Sequence, residues 1–425
     1  MSSEGERLGC AHSSALTAGS PGTKATPAAG PDAHANDERS QVGRAETPAS
    51  RAVFFERAGV TYRALRWETA PDAAPVPGLS DAPGACGPAT SRRRPGGEAC
   101  DAASGGGPAS RPAREPWTGF PSSGGAGDVA CGAGASATAP RDPIVLLHGF
   151  SQSAHAWDEV VPHLATACPG RALWAPEFVG HGCSDAPRDP APYAFSELVA
   201  TLAAFIDEVV LPDEARRAPS ASGRVALVGY SMGGRVALAY AVSHPQRVAS
   251  LVLESSGLGP ANEEARTQAA ERDAALAARV RREPLADFMD FWETRPVFSS
   301  QLGLPPKRRT LLRAARMRND PEALALTFEG SGQHAMPDLS GAPAWLASRG
   351  VPVLYLAGKL DPKYAGVARQ LSATDAWGLD VRVLPDAGHD VHFEQPIAFC
   401  EQVAPFLASA PLSGQRGSRS APAER

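Results

Sequence analysis

No apolar run in the 425-residue chain reaches the length of about 18 residues that a membrane-spanning helix needs. The first residues show no basic segment leading into an apolar stretch, so export is not expected and a cytoplasmic location is. Those residues are rich in Ser, Thr and Ala, as organelle transit peptides are, yet Glu4 and Glu6 argue against one. Excess positive charge is also missing. The formal net charge is −5, which removes the electrostatic reason to expect nucleic acid or an anionic membrane as partner, and the run "SRRRP" reads as a solvated stretch of low-complexity sequence. Cysteine is scarce and unpatterned: the seven cysteines have no CxxC spacing, which argues against a structural zinc and fits free thiols in a reducing compartment.

Glycine and proline are abundant instead, at 42 and 40 residues. Many fall in residues 1–50 and 69–141, where too few large apolar side chains are present to offset the entropy of ordering the chain. Both segments, and the tail 411–425, are expected to be disordered. Between the first two, "AVFFERAGVTYRALRWE" within 51–68 has β-branched and aromatic residues around a central "AG", the pattern of a hairpin.

From residue 142 onward strand and helix patterns alternate. "PIVLLHGF", "RALWAPEF", "RVALVGYS", "VASLVLESS", "VPVLYLAG" and "LDVRVLP" read as strands. "HAWDEVVPHLATA", weakened by Pro162, "FSELVATLAAFIDEVVL", "GGRVALAYAVSH" and "PIAFCEQVAPFLAS" read as helices. Such alternation predicts an α/β fold with a mostly parallel central sheet and helices on both faces, built from residues 142–256 and 351–410. Residues 257–350 are too long for a connection and lack strand patterning, so they are expected to form a helical cap over the end of the sheet, where functional groups collect in open α/β folds.

"LVGYSMGGRVALAYAVSHP" places Ser231 in a G-x-S-x-G pentapeptide. In a glycine-rich chain that motif alone is weak, but it directly follows an apolar strand and opens a helix, the setting that holds a nucleophile on a sharp turn. His389 in "DAGHDVHFEQP" and Asp361 in "LYLAGKLDPKY" follow two later strands, in the chain order of a Ser-Asp-His triad. His392 could compete as base but lies further from the strand end. His148 is expected to shape its loop, and Asp386 and Asp390 to be solvated loop carboxylates. Oxyanion donors are expected from the N–H groups of Met232 and Phe150. Arg235 lies one turn beyond Ser231 on nearly the same helix face, where an exposed helix arginine is the plain reading.

With these residues in view, the sequence from Pro143 to about Leu407 resembles the α/β-hydrolase fold superfamily. "LVGYSMGGRVALAYAVSHP", "FWETRPVFSSQ", "RMRNDPEALA" and "GKLDPKY" resemble more narrowly the 2-succinyl-6-hydroxy-2,4-cyclohexadiene-1-carboxylate synthases of menaquinone biosynthesis. The resemblance implies a carbon–oxygen lyase that eliminates pyruvate from 2-succinyl-5-enolpyruvyl-6-hydroxy-3-cyclohexene-1-carboxylate in the menaquinone or phylloquinone pathway. It implies a small anionic substrate and neither cofactor nor metal. The triad would act as a base beside an oxyanion hole, without an acyl intermediate.

Tyr230, Arg235, Trp292 and Arg316 match the family's substrate-contacting positions, with packing (Tyr230, Trp292) and a solvated face (Arg316) as alternatives. Lys363 matches a family lysine for which a structural ion pair is the competing reading. One position departs: the family's arginine one turn before Asp273 is replaced by Ala269, with Arg266 and Arg272 nearby as substitutes. A serine hydrolase acting on an ester or carbon–carbon bond, and a non-enzymatic ligand receptor on the same scaffold, are the two rival functions.

Overall fold

The computed structural model describes residues 48–69, 142–218, 221–374 and 376–409. The expectations of disorder for residues 1–47, 70–141 and 411–425 fall outside this set.

Strands β1 (Ser50–Arg57) and β2 (Val60–Trp67) form an antiparallel hairpin. Its turn places Ala58 at φ +51° and Gly59 at φ +75°, the left-handed pair whose twist matches that of the flanking strands. Six more strands follow: β3 (Ile144–Leu147), β4 (Leu173–Pro176), β5 (Val225–Tyr230), β6 (Val248–Glu254), β7 (Val353–Gly358) and β8 (Leu379–Leu384). They join the hairpin in one sheet of order β1-β2-β4-β3-β5-β6-β7-β8. All pairings from β4 to β8 are parallel. Every residue of β3 through β7 is buried, as continuous apolar runs in a doubly covered sheet must be.

One face packs under the helices Phe195–Ala204 and Met232–Ser243, the other under Val161–Ala167 and Pro396–Ser409. Each large aliphatic side chain that goes fully inside contributes about 1.5–3 kcal/mol relative to exposure. The chain passes from β3 outward to β4, then returns past β3 to β5. That reversal opens a crevice at the carboxyl ends of β3 and β5.

Two helix expectations change in detail. The stretch from His155 to Ala167 divides into a 3-10 turn at Ala154–Trp157 and a helix at Val161–Ala167, with Pro162 in its first turn, where a missing N–H costs nothing. The next helix passes through a π segment, Phe205–Val210, in which the Leu211 N–H donates to Ile206 O five residues back, just ahead of Pro212.

Between β6 and β7 lie five α-helices, Glu263–Arg282, Leu285–Glu293, Pro306–Arg316, Pro321–Ser331 and Ala342–Ser348. The first, second and fourth of these share a small core around Phe288, Met289 and Leu324. No described helix is long and apolar enough to cross a membrane. Cys400 is a buried free thiol, whereas Cys183 is disulfide-bonded, so the free-thiol expectation fails there; cysteine number and spacing carry no information about which thiols meet in space.

Candidate active site

Ser231 joins the end of β5 to the helix Met232–Ser243 with φ +50° and ψ −107°. A non-glycine residue in this region stores about 1–3 kcal/mol of strain, tolerated only where the surroundings over-determine it. Here the Ser231 N–H donates to Glu254 O at 2.9 Å on the neighbouring strand. The flanking glycines are needed because backbone passes where side chains would be. A Cβ on Gly229 would lie 2.6 Å from Gly234 Cα, and one on Gly233 would overlap the carbonyl of Leu147 on β3.

Asp361 caps the helix Pro362–Ser372, its Oδ1 accepting the N–H groups of Lys363 and Tyr364 at 3.1 and 3.3 Å. Its other oxygen, Oδ2, lies 2.7 Å from His389 Nδ1, and His389 Nε2 lies 3.1 Å from Ser231 Oγ. With Asp361 Oδ2 as acceptor the imidazole carries its hydrogen on Nδ1, which leaves Nε2 free to take the serine proton. Asp361 is wholly buried and His389 nearly so. Residues from three strand ends therefore meet in one hydrogen-bonded line, and His392 is not part of it.

Met232 begins its helix, so its N–H has no intrahelical partner. Phe150 lies in the loop after β3, and neither N–H donates to an acceptor among the described residues. The loop is pressed onto the site: a Cβ on Gly149 would lie 2.5 Å from the Tyr230 ring. His148 anchors it from below. Its Nε2 accepts the Phe178 N–H at 3.1 Å, and burial pushes its pKa down to about 4, so the ring is neutral.

A cavity of about 350 Å³ opens over Ser231, His389, Phe150 and Met232. Arg235 reaches into it at 8% exposure, with Nη1 donating to Ser331 O and Gly332 O at 2.9 and 3.0 Å. Among the described residues it has no carboxylate within ion-pair distance. Burial lowers its pKa, with Tyr364 and Asp273 opposing, yet a guanidinium remains charged in proteins. The exposed-helix reading of Arg235 is thus wrong, because the helix face it occupies is covered by residues 331–332.

Arg316 is buried too, at 3% exposure, so its solvated-face alternative fails as well. Gln301 Oε1 lies at 3.0 Å, Glu293 at 3.1 Å, and the Phe298 ring beneath it. Trp292 also lines the cavity, packed against Phe150 and Phe328, with its Nε1–H buried and, among the described residues, unpartnered. Tyr230 lines the floor, its ring against both His389 and His392. Lys363 lies at the edge and forms no ion pair among the described residues. Of the two candidates near buried Ala269, Arg266 donates to the carbonyls of His334 and Met336, whereas Arg272 lines the cavity.

Asp390 requires a correction: it is completely buried, while Asp386 is exposed. Asp390 Oδ2 accepts from Gln152 Nε2 at 2.7 Å, and Oδ1 lies 3.2 Å from His392 Nδ1. Gln152, which also lines the cavity, carries no sequence signal, because its partner is 238 residues away. Glu254, Asp390 and His392 could hold a metal by distance alone, but His392 Nδ1 is already committed to Glu254 at 2.8 Å.

The chain belongs to the α/β-hydrolase fold family, whose model matches residues 142–396. Within that family it is similar to proteins named 2-succinyl-6-hydroxy-2,4-cyclohexadiene-1-carboxylate synthase. It is 32% identical to the one from Enterobacter sp. (strain 638), over 62% of this chain and 91% of that one. A Bacillus subtilis (strain 168) protein provisionally given the same name is 34% identical, over 63% of this chain and 91% of that one. The solved structure of MenH from S. aureus superposes with a TM-score of 0.55 at 26% identity, covering 63% of this chain and 93% of that one.

Proposed function

We propose that the protein is a carbon–oxygen lyase that eliminates pyruvate from 2-succinyl-5-enolpyruvyl-6-hydroxy-3-cyclohexene-1-carboxylate. The observation that carries this reading is Arg235: a buried guanidinium, one turn from Ser231, facing a cavity and lacking a counter-ion among the described residues. A buried charge is stable only when paired, and here the missing partner is a carboxylate of the substrate. Arg272, at the same cavity, takes the part of the arginine that Ala269 lacks. Trp292 supplies an unpartnered N–H and Tyr230 a phenol at the floor. The names of the relatives support the same substrate class.

His389, acting through Ser231 Oγ and oriented by Asp361, removes the proton beside the succinyl ketone. The resulting enolate oxygen is held by the N–H groups of Phe150 and Met232, whose fixed dipoles stabilise charge as it develops. The electron pair then moves into the ring and the carbon–oxygen bond to the enolpyruvyl group breaks. The enolate of pyruvate leaves and takes up a proton, and the ring is left as a cyclohexadiene. No acyl-enzyme forms.

A coupled assay for pyruvate release tests the proposal. Wild type should turn the substrate over, and Ser231→Ala should lower kcat by about 1,000-fold or more, as loss of a triad member does. Rapid turnover of simple esters with no pyruvate released would replace the lyase by the hydrolase reading.

A further inference from the structure

Behind Ser231 and His389 lies a second group of charged side chains that the chemistry above leaves unused. Glu254, Asp390 and His392 are all completely buried. Glu254 accepts from the His392 backbone N–H at 2.9 Å and from its Nδ1–H at 2.8 Å. Asp390 lies against the same imidazole and accepts from Gln152 Nε2. Gln152 Oε1 in turn accepts the Gly149 N–H at 3.2 Å. One line of contacts thus runs from the end of β6 to the loop after β3.

Burial raises the pKa of Glu254. It also works to lower that of His392, but the Glu254 and Asp390 carboxylates outweigh it and hold the imidazole at about 8. The one imidazole Nδ1 therefore faces two carboxyl groups, Glu254 at 2.8 Å and Asp390 at 3.2 Å. Asp390 needs a further donor, and Gln152 provides it. The neighbouring peptides are tied as well: Glu394 accepts the N–H groups of Gly388 at 2.8 Å and Asp390 at 3.3 Å, and Ser300 Oγ donates to Glu394 at 3.0 Å.

We propose that Asp390 is a positioning residue, which through Gln152 locks the loop carrying Phe150 to the loop carrying His389, so that an oxyanion donor and the base keep one fixed separation. Gly149 immediately precedes Phe150, and Asp390 immediately follows His389. A single hydrogen-bonded bridge thus joins the two parts of the site that no strand pairing connects. The inference rests on the roles given above to Phe150 and His389. It concerns this pair of side chains rather than the substrate.

The test is a double-mutant cycle of Asp390→Ala and Gln152→Ala, with kcat referred to folded protein. Small misplacements of reacting groups cost up to about 100-fold. Each single variant should lose about 10- to 100-fold in kcat with KM changed less than about threefold, and the double variant should fall no further than the worse single. Asp390→Asn, which keeps an oxygen for Gln152 Nε2, should recover most of the loss. Additive losses, or a kcat for Asp390→Ala within about twofold of wild type, would overturn the proposal.

Should Asp390→Ala fail to fold, Gln152→Leu breaks the same bridge from the cavity side and must show the same split between kcat and KM. Labelling of Ser231 by a fluorophosphonate is followed in parallel, because it needs the base and the oxyanion donors but not the pyruvate-releasing substrate. Wild type without pyruvate release would remove the proposed reaction. The labelling rates would still decide the bridge, supporting it if the variants slow about tenfold together and overturning it if they match wild type.

Discussion

Arg235 is the residue whose removal separates the readings most sharply. A hydrogen bond to a charged group contributes about 1.5–3 kcal/mol, so Arg235→Ala should lower kcat/KM for the anionic substrate by about 10- to 100-fold. Hydrolysis of a neutral ester such as p-nitrophenyl acetate, if any is detectable, should change by less than about threefold. Parallel losses on both would mean that the guanidinium only holds the carbonyls of Ser331 and Gly332. At this scale the sequence was informative where a residue carried its own local frame. Ser231 and Asp361 each follow a buried strand and His389 follows the partly exposed strand β8, each just after a glycine, so their meeting could be read from order and spacing. Asp390 sits in the same glycine loop and reads as a solvated carboxylate. It is buried against Gln152, from the loop after β3, and beside Glu254, from the end of β6, and nothing in "GHDVHFEQP" announces them.

Elements set the geometry that those residues use, and the helix Met232–Ser243 depends on an approach that only glycine allows. Gly233→Ala would push a methyl group into the Leu147 carbonyl, which is backbone of a central strand and cannot move aside. Overpacking of this kind costs about 1–3 kcal/mol and would displace Ser231, so both the melting temperature and fluorophosphonate labelling should fall. Gly366→Ala is the contrast, in the helix Pro362–Ser372: its nearest neighbour there is the flexible Arg369 guanidinium at 3.6 Å. That substitution should raise stability by up to about 1 kcal/mol, measured by thermal or urea unfolding. If Gly233→Ala melts like Gly366→Ala, close packing is not what fixes the elbow. Strands β3 to β7 were legible as apolar runs because both faces of the sheet are covered there. The π segment at Phe205–Val210 was not, since the apolar spacing of a helix barely changes when one hydrogen bond shifts from four residues to five.

The whole molecule poses a question of length between β2 and β3. Trp67, at the end of β2, pairs with Leu173 on β4, and Leu173 pairs on its other side with Ile144, at the start of β3. Adjacent strands lie about 4.8 Å apart, so the chain leaving β2 and the chain entering β3 are separated by about 10 Å, on the same edge of the sheet. Three or four residues, at about 3.3–3.6 Å each, would span that gap, whereas the sequence supplies residues 68–143. Loop closure grows only logarithmically more costly with length, so a long connection is tolerated without being needed for the sheet. Replacing residues 72–139 by an eight-residue Gly/Ser linker should therefore leave kcat/KM for pyruvate release within about twofold and the melting temperature within about 4 °C, the shift expected from less than 1 kcal/mol. The comparison is made with Cys183→Ser in both proteins, so that the disulfide at Cys183 does not enter. A collapse of stability on deletion would mean that the segment contributes to the core. Intact stability with lost turnover would instead place its contribution at the cavity.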